Sequence, residues 1–192
     1  LVNASHPILL MQQKDVQKNV VPFTLHLNSE KRILIISGPN AGGKTVCMKA
    51  VGLLLIMAQS GIHVTAKPGS IIGVFNKLLI DIGDSQSIEY ELSTYSSRLK
   101  NMKVFFEQVD NKSLFLIDEL GSGTDPQLGG ALAEAMLEAL NQKRSAGIVT
   151  THYMNLKVLA EKVPGFINGS MSFDKRNLKP LFQLQIGKPG SS

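Results

Sequence analysis

The stretch SGPNAGGKTV, residues 37–46, decides how the rest of the chain is read. The β-branched run RILIIS (32–37) precedes it, as expected of a strand buried on both faces. Residues 45–59 follow with a helical pattern that stops at Gly61. Gly38, Gly43, Lys44 and Thr45 match G-x-x-x-x-G-K-[ST] between a strand and a helix, the context that gives this motif its meaning. Glycines let backbone N–H groups turn inward around phosphate oxygens, and the helix that starts there adds its positive end. The whole loop, Gly38, Pro39, Asn40, Ala41, Gly42, Gly43, Lys44, Thr45 and Val46, is therefore expected to hold a nucleoside triphosphate. Lys44 would bridge its β- and γ-phosphates, and Thr45 would ligate Mg²⁺ through its hydroxyl.

A second element must face that loop. In SLFLIDE (113–119), four apolar residues bury a strand and Asp118 emerges at its carboxyl end, where open α/β sheets bind ligands. Asp118 is expected to meet Mg²⁺ through water, since that ion keeps several waters. Glu119 follows, where a carboxylate can orient and deprotonate an attacking water. This pair favours hydrolysis over transfer to an acceptor. Three further stretches have two readings each. His152 in TTHY (150–153) ends another buried strand, either as a structural residue or as a contact to the γ-phosphate or the attacking water. Asp125 in LGSGTDP (120–126) either caps the helix that follows, with Pro126 at its first position, or contacts a neighbouring subunit. Ser93 in ELSTYSS (91–97) is a helix cap or faces the triphosphate of another copy.

Between these motifs strands and helices alternate, which argues for a mostly parallel sheet with helices on both faces. KLLIDIG (77–83) and AGIVTTH (146–152) read as buried strands. VPFTLHLN (21–28) alternates like a half-exposed strand, and VGLLLIMAQSGI (51–62) reads as a buried helix. Leu99, Met102, Phe105, Phe106 and Val109 share helical spacing, and SMSFD and LFQLQI read as a hairpin. The 192 residues, 43% hydrophobic, suit one domain, 1–192. A first residue of Leu suggests a piece of a longer protein. No run reaches the roughly 20 apolar residues of a membrane span, and Cys47, the one cysteine, fits a reducing compartment. The net charge of +5 permits nucleic-acid contact, but the basic residues are scattered, as on an ordinary solvated surface.

Taken in order, GPNAGGKT, ELSTY, FLIDELGSGTDP and TTHY resemble the MutS family of DNA-repair ATPases, of the ABC-type ATPase class, over nearly the whole chain. GGKTV and DELGSGTDP differ from the GKST and DEIGRGTS-like stretches of the mismatch-repair branch. With IGDSQSIEYELSTYSS, NGSMSFD and LQIGKPGSS they are similar to the second bacterial branch, the MutS-type paralogue associated with suppressing homologous recombination. The resemblance implies an α/β P-loop NTPase fold, ABC-ATPase-like, with antiparallel strands near both ends. It implies an ATP- and Mg²⁺-dependent ATPase that forms a homodimer with composite sites. Ser93 would act in trans as the signature serine, Asp125 would lie in the interface loop, and His152 would be the switch histidine. Asn40 would sit near the attacking water or the signature segment. Only about 70 residues separate Lys44 from Asp118, too few for a transporter-type insertion. The implied partner is branched or double-stranded DNA, held mainly by a clamping arm outside this segment, with a nuclease domain also outside it. The alternative is a nucleotide-gated module of a factor that rescues collided ribosomes, binding ribosomal RNA or splitting stalled ribosomes. A further alternative is a binding module that closes on ATP but turns over too slowly to matter. Either way the location implied is the bacterial cytoplasm, with no membrane.

Overall fold

A computed structural model describes residues 1–12, 20–83, 94–174 and 176–190; the side chains of Asn40 and of residues 94–98 also lie outside the description. Ser93 and the stretch 84–93 therefore lie outside the described residues. In chain order the elements are α1 (Pro7–Gln12), β1 (Lys31–Ser37), a 3-10 turn (Asn40–Gly42), α2 (Lys44–Gln59), β2 (Lys77–Asp81) and α3 (Thr94–Gln108). They continue with β3 (Ser113–Ile117), α4 (Pro126–Gln142), β4 (Ala146–Thr150), α5 (Met154–Lys162), β5 (Gly165–Asp174) and β6 (Lys179–Ile186).

The strands form one six-stranded sheet, ordered β2-β3-β4-β1-β5-β6. All neighbours are parallel except β5 and β6, which pair antiparallel as the expected hairpin. The alternation of side chains along each strand feeds two cores. Leu34, Ile36, Leu114, Leu116 and Ile148 point to the face covered by Met48, Val51, Leu54 and Leu55 of α2. Ile33, Ile35, Phe115, Ile117 and Val149 point the other way, toward Met102 and Phe105 of α3, Leu137 and Leu140 of α4, and Leu156 and Leu159 of α5. Helices on both faces explain why β1 and β3 are continuous apolar runs. The result is an α/β fold with a mostly parallel sheet. Among the described residues no helix is long and apolar enough to cross a membrane.

Four expectations need correction. β2 is the sheet edge, so its residues are half-buried or exposed instead of enclosed. Residues 21–28 form no ladder: the antiparallel strand expected near the amino end is a single bridge between Ala4 and Phe23. The alternation there has another cause, because Phe23 and Leu25 pack on the α2 side of the core while Thr24 and His26 face solvent. The apolar run 51–62 is only partly buried: Leu54 and Leu55 are enclosed, but Ile56 is exposed and Ile62 lies beyond the helix. In α3, Met102, Phe105 and Val109 are buried as the spacing predicts, while Leu99 is exposed.

Candidate nucleotide site

The parallel strands end along one edge, and their backbones are tied together there. Asp118 N donates to Asp81 O at 2.9 Å, Thr151 N to Ile36 O at 3.1 Å, and Leu120 N to Thr150 O at 3.1 Å. Because β4 lies between β1 and β3, its end sits between residues 37–45 and residues 118–119.

After β1 the chain makes the 3-10 turn and enters α2 through Gly43, whose φ of 89° is left-handed and favours glycine. Met171 of β5 packs behind this turn; a Cβ on Gly42 would stand 3.1 Å from its Cβ. α2 opens with Lys44 and Thr45, so its first-turn N–H groups, which have no intrahelical acceptors, point out of the same edge. Lys44 is 2% exposed, and its Nζ donates to Gly38 O at 2.6 Å. Burial lowers the pKa of this ammonium, and the nearby carboxylates of Glu119 and Asp118 partly counteract that. A buried cation with a lowered pKa at the start of a helix is suited to accept an anion.

Asp118 is held from two sides. Thr45 Oγ1 donates to its Oδ2 at 2.7 Å, and Thr150 Oγ1 donates to its Oδ1. The Thr150 hydroxyl in turn accepts from Glu119 N at 2.8 Å. Glu119 has a φ of 50°, unusual for a residue with a side chain, which turns its carboxylate out of the strand direction. Glu119 Oε1 lies 3.7 Å from His152 Nε2, and both side chains are partly open to solvent. Thus Lys44, Thr45, Asp118, Glu119 and His152 come together at one edge. Asp125 is the N-cap of α4: its Oδ1 accepts from Gln127 N at 3.0 Å and Leu128 N at 3.1 Å.

The donor set suits Mg²⁺ held by one hydroxyl, one carboxylate and the oxygens of a ligand, in keeping with that ion's preference for water and phosphate. Among the described residues no cluster of three or more His, Cys, Asp or Glu side chains offers a metal cage. A cavity of about 700 Å³ lies elsewhere, lined by residues that include Lys31, Arg32, Lys162 and Asn168, and it contains none of the five residues above.

One residue at this edge carried no signal in the sequence. Phe182 in β6 is 48% exposed, with a φ of 55°, where the pairing of β6 with β5 slips between Met171 and Phe173. Its ring stands over the turn: a Cβ on Gly43 would lie 3.0 Å from Phe182 Cδ1. Regular alternation would align Phe182 with Leu184 and Ile186 on the core face; the bulge lifts it out.

The sequence matches MutS domain V over residues 34–192, and the chain belongs to that family. Curated relatives that it matches carry the name Endonuclease MutS2. That of Thermomicrobium roseum is 48% identical over 189 residues, covering 98% of this chain and 23% of the relative. Those of Caldicellulosiruptor bescii and Lactiplantibacillus plantarum are 47% and 46% identical over 192 residues, covering all of this chain and 24% of each relative. The chain thus spans about a quarter of the length of the curated relatives it matches.

Proposed function

We propose that this domain is an ABC-type P-loop ATPase that binds ATP with Mg²⁺ and hydrolyses it, and that two copies close head-to-tail around the nucleotide. The observation that carries this reading is the chain of contacts Thr45–Asp118–Thr150–Glu119 beside the buried Lys44. It puts a cation, a hydroxyl and two carboxylates around the open end of one helix.

In this reading Lys44 gives up Gly38 O for the β- and γ-phosphate oxygens, and the first-turn amides of α2 take the same anion. Thr45 and Asp118 exchange their mutual hydrogen bond for the cation, Asp118 through water. Mg²⁺, when bound, neutralises the charge that grows on the leaving phosphate. Glu119 orients a water and accepts its proton as the new O–P bond forms and the bond to the ADP oxygen breaks. His152 holds the γ-phosphate or that water. The exposed ring of Phe182, beside Gly43, offers an apolar seat for the base. Asp125 is shared between two tasks, since its backbone-capping role leaves the rest of its loop at the surface where a second copy would meet it. Ser93 supplies that copy's contact to the γ-phosphate.

The names of the relatives support a role for the whole protein on DNA. We propose that ATP drives a cytoplasmic DNA clamp acting on branched or recombining DNA, with DNA contacts and any nuclease outside residues 1–192. The test is ATP binding and phosphate release by the intact protein, with Mg²⁺, with and without four-way junction DNA. Mg²⁺-dependent turnover that junction DNA alters supports the reading. Turnover indifferent to DNA but changed by ribosomes would shift it to a ribosome-rescue module, and absent ATP binding would end it.

A further inference from the structure

The segment between Glu119 and Asp125 contains three left-handed residues: Glu119 at φ 50°, Gly121 at 87° and Gly123 at 93°. Glu119 is strained at such a φ and the two glycines are free to leave it, so the segment keeps one shape only where its surroundings fix it. The surroundings here are residues 150–153. Thr150 accepts the amides of Glu119 and Leu120, through its hydroxyl and its carbonyl respectively. The Tyr153 hydroxyl then donates to Gly121 O at 2.9 Å. Its oxygen sits in a narrow gap. A Cβ on Gly129 of α4 would stand 2.5 Å from it, and a Cβ on Gly121 would stand 2.9 Å from the tyrosine ring and 2.5 Å from Gly129 O. Tyr153 is fixed at its other end as well, since its N donates to Thr151 Oγ1 at 3.1 Å. It follows His152 directly, so one short turn carries both His152 and the tie to Gly121.

We infer that Tyr153 is a positioning residue: a latch that holds 119–125 against the turn carrying His152, so that a shift of His152 is passed to Glu119 and Asp125. This rests on the ATP-hydrolysing reading above. The hydroxyl touches the loop backbone, and through it acts on Glu119 and Asp125. Its loss leaves Lys44, Thr45 and Asp118 in position, so nucleotide affinity stays while the geometry of the base drifts.

The test is Tyr153→Phe in the intact protein, which removes one oxygen and keeps the ring. Two quantities are read besides turnover: the affinity for a fluorescent ATP analogue, and hydrogen exchange of the Ser122 amide, which donates to Glu119 O at 3.0 Å inside the loop. Exchange at Ser122 should quicken and kcat should fall, each about five- to tenfold, the size expected for one lost hydrogen bond, with affinity within about twofold. Gly129→Ala would put a Cβ 2.4 Å from Gly121 O and 2.5 Å from the same hydroxyl, so it displaces acceptor and donor together and should lower kcat at least as much. The double variant should be no slower than Gly129→Ala alone, because that variant has already broken the contact that Tyr153→Phe removes. Unchanged Ser122 exchange, or kcat within about twofold of wild type, overturns the latch. So does an equal loss of affinity and kcat, which would mark a general structural role. If the wild-type protein neither binds nor hydrolyses ATP, it is the nucleotide reading that fails, and the exchange at Ser122 alone then decides whether the latch exists.

Discussion

Thr150 donates its hydroxyl to Asp118 at the end of β3, and the same oxygen receives the amide of Glu119 at 2.8 Å. One buried side chain on β4 therefore orients both carboxylate-bearing residues of the candidate site. Thr150→Val keeps the shape and removes both bonds. It should cost about 1–3 kcal/mol, because a buried carboxylate and an amide each lose a partner. Turnover should fall along with the denaturation midpoint. Unchanged stability in urea would show that the Thr150 hydroxyl does not hold Asp118.

Lys44 is buried at a desolvation cost that only a bound anion repays in full. Lys44→Met should therefore abolish ATP binding and lower the stability of the nucleotide-free protein by about 1–3 kcal/mol, since Gly38 O loses its donor and the carboxylates of Glu119 and Asp118 lose a nearby cation. Calorimetric titration and thermal melts check the two halves. Wild-type affinity in this variant would remove Lys44 from the site.

Cys47, one turn into α2, is buried, and burial pushes its thiol up to about 12. At pH 8 its thiolate fraction is on the order of 10⁻⁴, so iodoacetamide should label it only after unfolding. A raised folded pKa stabilises below the unfolded value and loses that contribution as pH rises. The stability margin of wild type over Cys47→Ala should accordingly shrink above about pH 9, the ordinary value for the thiol. Rapid labelling of the native protein would contradict the burial.

Composite sites predict complementation. Ser93→Arg and Lys44→Ala proteins should each be nearly inactive, because every site in either homodimer has one defect. Mixed dimers hold one site with an intact loop and an intact facing serine, so ATPase activity should return in part. Verified heterodimers with no recovery would make Ser93 a helix cap and confine each site to one chain.

Much of this architecture was legible because its strongest signals are local. β1 and β3 are apolar runs that only enclosure on both faces explains, and Asp118 follows the last buried residue of β3 directly. Asp125 and Pro126 mark the start of α4 by capping chemistry, and the cap is formed. The failures are matters of neighbours. Nothing within KLLIDIG says that β2 has one partner instead of two. The alternation of 21–28 reports which side touches the core, which an extended segment without a ladder satisfies equally well. Helix α5 lacks a side-chain cap at its start, so its first turn is set by the strand before it. Phe182 reaches the site through a bulge that depends on how β6 registers against β5. The Tyr153–Gly121 contact joins residues 32 positions apart through a gap that only the packed fold defines.

Glu119→Gln in the intact protein, with ATP binding and phosphate release followed together, tests most directly whether this edge hydrolyses ATP. The Glu119 carboxylate lies 3.7 Å from His152 Nε2, while Asp118 is held by the hydroxyls of Thr45 and Thr150, so the amide should leave binding intact. ATP with Mg²⁺ should bind at wild-type affinity, hydrolysis should slow by about 10² to 10⁴, the range for a positioned general base, and a dimer should persist with ATP bound. Phosphate release at the wild-type rate would contradict this role for Glu119.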